Sequence, residues 1–287
     1  MANYRIITDS CCDLPREEIA KLDIDVVQLG LNFRDQLIKD PSDEQVKEMY
    51  DALRKGECAT TTAANPQEWA DVIGPVLASG QDALVMVFSS GLSTTYQSAC
   101  IAAQELKETY PDRTALVLDT RAASLGQGLY VWYACKKRDE GLSLRENYDW
   151  CMAHRENMAH WFTVDDLMFL KRGGRVSAAT ALLGTMLNIK PILHVDSEGH
   201  LISVSKTRGR KSALDQLIKK LETDGLPGEN ETVFISHGDC LEDAQYVADQ
   251  VKAKLGVKNV LISYVGGVIG SHSGPGTMAF FFLGRQK

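Results

Sequence analysis

Short β-branched runs separated by capped helical stretches dominate the first half of the chain, and this alternation narrows the fold more than any other feature. Residues 4–8, 26–32, 83–88 and 114–118 read as strands. With helical stretches between them, they predict a parallel sheet with helical crossovers. Three helix starts are marked in the sequence. Ser42-x-x-Gln45, Asn65-Pro66-Gln67-Glu68 and Ser143-x-x-Glu146 each carry the capping-box pattern, in which two side chains three residues apart satisfy each other's backbone amides. Pro66 falls at a first helical position, where the amide it lacks would have no partner anyway.

The second half changes character. Residues 161–164 read as a strand, followed by two acids and then Gly173-Gly174 between two helical stretches. Residues 191–195 and 201–206, joined by Asp196-Ser197-Glu198-Gly199, alternate as a hairpin does. Helices at 211–221 and 241–255 and strands at 232–236, 259–264 and 277–282 complete a second α/β unit. A chain of 287 residues is long for one domain. The expectation is an N-terminal parallel-sheet α/β domain over 1–160 and a C-terminal α/β domain with an antiparallel or mixed sheet over 161–287. No internal repeat or low-complexity tract interrupts either.

Composition excludes several classes. A chain that is 44% hydrophobic and 24% charged is that of an ordinary globular protein. The longest apolar stretches, 83–88 and 278–283, fall far short of the roughly 20 residues of a spanning helix, so no stable membrane insertion is expected. The first residues lead straight into a strand-like run without the features of a secretory signal. Seven scattered cysteines form no C-x-x-C pair, as free thiols of a reducing, cytoplasmic compartment would be arranged. A net charge of −7 argues against a nucleic-acid partner, although basic residues cluster at 171–175 and 206–211.

The segment most informative about chemistry is Phe88-Ser-Ser-Gly-Leu-Ser93-Thr-Thr-Tyr-Gln-Ser98, a strand end followed by hydroxyls and then a helix. In parallel sheets ligands gather at the carboxyl ends of strands, where helix N-termini attract anions. Ser93 is therefore placed to meet an anion or to cap the helix. Thr60-Thr61-Thr62 precedes the Asn65 cap and reads either as extended chain or as a second hydroxyl cluster. Asp9 and Asp119 end two other predicted strands and either add polar groups at the same sheet edge or do no more than cap helices. Gly266 to Gly276 is glycine-dense and places His272, a possible donor to a carboxylate, on what reads as a tight loop. Gly91-Leu92-Ser93-Thr94-Thr95 lacks the second glycine of a nucleophile elbow. No phosphate-binding loop, dinucleotide fingerprint or Cys/His spacing is present, so no metal or cofactor is expected.

These segments together make the chain resemble the DegV family of fatty-acid-binding proteins. The matching stretches are Thr8-Asp9-Ser10, 89–99, Ser124-Leu-Gly-Gln-Gly128, Leu170-Lys-Arg-Gly-Gly-Arg175, 187–193, Lys206-x-Arg208 and His272-x-Gly-Pro-Gly276. The resemblance implies a non-catalytic carrier with a long-chain fatty acid buried between two α/β domains. Its carboxylate would be held by Ser93 and by Thr61 or Thr62, with His272 close by. The family's Thr-Ser-Gln-Pro appears here as Thr61-Thr62-Ala63-Ala64, which leaves the choice between the two threonines open. The resemblance also implies a separate fatty acid kinase as partner, with Arg175, Arg208 and His272 serving docking or phosphoryl transfer. Leu167, Met168, Phe169, Leu182, Leu183, Met186 and Ile189 are candidates to line the tail site or simply to fill the core. The alternatives are an acyl hydrolase or transferase using Ser93 or Ser273 with His272 as base, and a regulator acting through the basic clusters.

Overall fold

The computed structural model describes residues 4–177 and 188–287. Its first sheet has the order β2-β1-β6-β7 and is wholly parallel: β2 (Asp25–Val27), β1 (Tyr4–Asp9), β6 (Asp82–Val87) and β7 (Ala115–Asp119). Alternation along β1 and β6 explains why this sheet is covered on both faces. Ile7, Val85 and Val87 pack on one side with α3 (Pro66–Ala78) and α4 (Thr95–Thr109). Ile6, Leu84 and Met86 pack on the other with α5 (Leu125–Asp139) and α6 (Leu144–His154). All three expected capping boxes form, at Ser42 of α2 (Asp43–Arg54), Asn65 of α3 and Ser143 of α6.

The second sheet is mixed, with order β10-β9-β8-β13-β11-β12. It comprises β8 (Met158–Thr163), β9 (Ile189–Val195), β10 (Leu201–Arg208), β11 (Thr232–His237), β12 (Asn259–Tyr264) and β13 (Met278–Leu283). Only β11 and β12 pair in parallel. Central β13 has Phe280 and Phe282 toward α8 (Arg210–Asp224) and α9 (Leu241–Leu255), and Ala279 and Phe281 toward α5. The expected division at residue 160 falls within β8, which belongs entirely to this sheet.

Helix α5 is thus the middle layer between the sheets. Leu125, Leu129, Tyr130, Val131 and Ala134 are all essentially buried. Its glycines permit the approach: a Cβ on Gly126 would collide with the His160 ring and with Phe281, and one on Gly128 would come within 2.7 Å of the Cys12 carbonyl. At its N-cap, Ser124 adopts φ 54° and ψ −149°. From there its Oγ donates to Asp13 Oδ2 at 2.5 Å and lies 2.8 Å from Ser236 Oγ in β11, so one hydroxyl ties the two halves.

Two expectations are corrected, and one open alternative is decided. Residues 26–32 are not one strand: after β2 the chain turns, with Leu29 N held by Ser10 Oγ, and β3 (Gly30–Phe33) joins β4 (Gln36–Ile38) and β5 (Ala59–Thr62) in a separate antiparallel sheet. The threonine cluster is therefore extended chain, in β5. The glycine-rich segment is not a loop at His272, because Gly267–Ser273 forms a short helix, α10. Its glycines serve close contact with Leu31 and Tyr50, and left-handed backbone begins only at Gly274.

Among the described residues no helix is long and apolar enough to cross a membrane, and all seven cysteines are free thiols. A Gly126→Ala variant should lose about 1–3 kcal/mol to overpacking, outweighing the ~1 kcal/mol gained in helix propensity. A lowered urea midpoint would show it; an unchanged or raised one would mean that α5 can move away from β8.

Candidate functional site

Residues that follow β2, β6 and β7 border a cavity of about 640 Å³ between the two halves, within the usual range for small-molecule sites. Its apolar wall includes Leu29, Phe88, Phe162, Leu170, Val268 and Phe281, and its polar wall includes Thr61, Thr62, Ser93, Arg175, His272 and Ser273. The four residues expected at a carboxylate are therefore brought together from β5, the β6–α4 loop and α10.

Strand alternation separates the two threonines. Adjacent residues of β5 point to opposite faces: Thr62 Oγ1 stands over Gly30, while Thr61 Oγ1 lies 2.8 Å from His272 Nε2. Burial, and secondarily the Arg175 charge, push the His272 pKa down to about 4, so the ring is neutral at pH 7. A neutral ring carries one N–H. If Nε2 bears it, His272 donates to Thr61 Oγ1 and leaves the threonine proton free for an acceptor in the cavity. Ser93 reaches a similar condition. Its Oγ accepts from Thr95 N at 3.2 Å, at the first residue of α4, and its own proton stays available. The N-cap itself is Thr94, without a side-chain cap, and Ser93 one residue earlier engages the Thr95 amide.

The loop bearing Ser93 is held by groups that the sequence reading had given lesser or different parts. Asp9, buried with its pKa raised to about 6 by desolvation, accepts from Phe88 N at 2.7 Å and from Cys11 N at 3.0 Å. Asp119 accepts from Ser90 N and Ser90 Oγ at 3.1 and 2.6 Å. From the other half, Arg175 Nε and Nη2 donate to the Leu92 carbonyl at 3.2 and 3.1 Å, and Nη1 donates to Gly173 O. The only hint of this in the sequence was an acid at each strand end.

A smaller pocket, of about 340 Å³, shares Thr61, Arg175 and His272 with this cavity and adds Thr60, Phe169, Arg172 and Ser271; it is the outer pocket below. Gly173 lies beneath the imidazole, where a Cβ would collide with Nδ1. Arg208 is not brought to this site: it is exposed at the end of β10 and absent from both linings. Of the tail-lining candidates, Leu167 is packed in the core, Phe169 lines the outer pocket, and Met168 and Ile189 line neither. Leu182, Leu183 and Met186 lie outside the described residues. In the second basic cluster Arg210 pairs with Asp243 and Lys211 with Asp215. The described residues hold no cluster of metal-ligating side chains.

This fold recurs in known proteins. The family model described as "Uncharacterised protein, DegV family" matches residues 3–285, and the chain belongs to that family. A DegV domain-containing protein of Clostridium perfringens is 42% identical over 289 residues, covering 100% of this chain and 99% of that one. The structure of a DegV family protein from Thermus thermophilus, described as fatty acid binding, superposes with TM-score 0.87 at 32% identity, covering 98% and 99% of the two chains. DegV of Bacillus subtilis, also described as a fatty acid binding protein, gives 0.85 at 26% identity, covering 99% and 100%.

The lowered His272 pKa predicts a pH dependence. The unfolded chain, whose histidine titrates near 6.5, takes up the proton first as pH falls. The stabilisation is complete above about 6.5 and is lost as pH falls through about 4. Over that interval the unfolding free energy of the native protein should decline more steeply than that of His272→Gln. Equal slopes would mean that the imidazole titrates normally.

Proposed function

We propose that this chain is a non-catalytic cytoplasmic carrier that buries a long-chain fatty acid in the 640 Å³ cavity, with the carboxylate accepting from Thr61 and Ser93. The observation that carries the reading is that Thr61 and Ser93 both line this largely apolar cavity with oxygens already engaged, by His272 Nε2 and Thr95 N; in the Nε2–H tautomer of His272 both hydroxyl protons are left for an acceptor. The solved relatives described as fatty acid binding support the ligand class. A 16-carbon tail contributes about 12 kcal/mol gross at about 0.8 per methylene, while each hydrogen bond to a charged head contributes about 1.5–3 kcal/mol. Affinity comes from the tail and orientation from the hydroxyls.

Presentation of the head group to a separate fatty acid kinase is the second part of the proposal. The outer pocket supports it, since Thr61, Arg175 and His272 line both spaces and Thr60 and Arg172 on its rim are exposed. His272 and Arg175 would then border the reacting carboxylate. Arg208 is left to a docking contact with the partner.

The hydrolase alternative needs a serine hydrogen-bonded to a histidine that an acid orients. His272 instead bonds Thr61, and the charged group acting on it is Arg175.

Lipid extraction and mass spectrometry of the purified protein should recover a C14–C18 fatty acid. In delipidated protein, Thr61→Ala and Ser93→Ala should each weaken binding about 10- to 100-fold. Unchanged affinity in the double variant would move the carboxylate elsewhere. Ester hydrolysis that Ser93→Ala abolishes would favour the enzyme.

A further inference from the structure

The β9–β10 hairpin is joined to the rest of its sheet by a short seam. It pairs internally at seven positions, from Arg208 with Ile189 to Leu201 with Val195. Strand β9 meets β8 at only two, Trp161 with His194 and Phe162 with Leu193, whereas β8 and β13 pair at six. Polar atoms are left over beside this seam: Trp161 Nε1, Thr163 Oγ1 and His194 Nδ1 are sealed from solvent with no hydrogen-bond partner among the described residues. Unpaired buried groups destabilise the structure that holds them. Among the described residues β10 is an edge strand, so no further strand backs the hairpin.

Past the seam, the hairpin tip of residues 195–201 is satisfied largely by its own hydrogen bonds. Asp196 Oδ1 accepts from Glu198 N and His200 N, both at 2.9 Å, and Asp196 N donates to the His200 carbonyl at 3.0 Å. Behind the tip, β10 slips register against β9 between Ser203 and Ser205, an irregularity at which a strand bends. In front of it, two hydrogen bonds reach the tip from the first half of the chain among the described residues. Ser89 Oγ donates to the Gly199 carbonyl at 2.8 Å and Arg121 Nη1 to the Ser197 carbonyl at 2.5 Å. Val195 and Leu201, opposite each other across the tip, both line the cavity. The tip is thus a piece of the cavity wall, self-contained in its hydrogen bonding and tethered by two side chains.

We propose that this tip is a flap through which a fatty acid enters and leaves the cavity, tilting about the seam with β8 when the bonds from Ser89 and Arg121 release. The proposal rests on the fatty-acid reading of the cavity and adds its route of exchange. The side chains that the cavity shares with the outer pocket, Thr61, Arg175 and His272, are polar, and an apolar tail passing among them would strip them of water or partners. Val195 and Leu201 offer a passage with no such cost.

Stopped-flow binding of cis-parinarate, a fluorescent polyene fatty acid, to delipidated protein tests the route in native protein, Ser89→Ala, Arg121→Ala and the double variant. Thermal unfolding checks that each folds, and either single variant carries the test alone. The two bonds close the flap over a filled and an empty cavity alike. Their loss should therefore raise the association and dissociation rate constants together, about 3- to 10-fold in each single variant, with the dissociation constant staying within about twofold. Unchanged rate constants in the double variant overturn the proposal, since exchange then takes another route. Faster dissociation with unchanged association also overturns it, and assigns Ser89 and Arg121 to holding the loop that bears Ser93. Failure of native protein to bind either cis-parinarate or palmitate instead overturns the fatty-acid reading beneath it.

Discussion

Everything in this protein depends on one helix being thin enough to fit between two sheets. Helix α5 is buried on nearly every side, and it comes close only because Gly126 and Gly128 replace side chains with backbone where His160, Phe281 and the Cys12 carbonyl press in. Ser124 at its start then joins Asp13 from one half to Ser236 from the other. Both Ser124 and Asp13 hold positive φ values, a backbone cost that the surrounding packing must sustain. With the sheets fixed at this spacing, the carboxyl edge of the first meets the face of the second across a gap, and that gap is the cavity.

The cavity divides its polar and apolar character by origin. Its apolar lining comes from sheet faces and helix stripes that would be apolar in any α/β core. Thr61, Ser93 and His272 come from three places where backbone must be satisfied locally: the edge strand β5, the turn after β6 and the last turn of α10. Charged residues hold the main chain around Ser93, namely Asp9, Asp119 and Arg175. Apart from Arg175, whose guanidinium is engaged by main-chain carbonyls, the polar groups lining the cavity are neutral, which spares it the cost of an unpaired buried charge.

What the sequence disclosed was what short-range physics decides. The three capping boxes, the parallel strands and helix α9 were legible because each is written within a few residues. Helix α5 carries no amphipathic period, since both of its faces are buried, so the pattern that reveals surface helices was absent. Residues 26–32 looked continuous because nothing local marks a change of sheet. The glycines of α10 suggested a loop, while their cause is contact with Leu31 and Tyr50, distant in sequence. At the site, Ser93 was legible from its strand-to-helix setting. Which threonine meets His272 turned on the register of β5, and the clamp of Arg175 on Leu92 spans 83 residues of chain.

The two halves also meet main chain to main chain. The turn of the β9–β10 hairpin rests on the β6–α4 loop so closely that a Cβ on Gly91 would lie 2.9 Å from Gly199, and Ser89 Oγ donates to the Gly199 carbonyl at 2.8 Å. A cavity lined from both halves exists only while both sheets are folded and joined, so whatever occupies it binds the native state and has no counterpart in the unfolded chain. Mass action then makes occupancy a component of cohesion: ligand at 100 times its dissociation constant adds about 2.7 kcal/mol. A loaded and an empty molecule of this protein are, in melting behaviour, two different proteins.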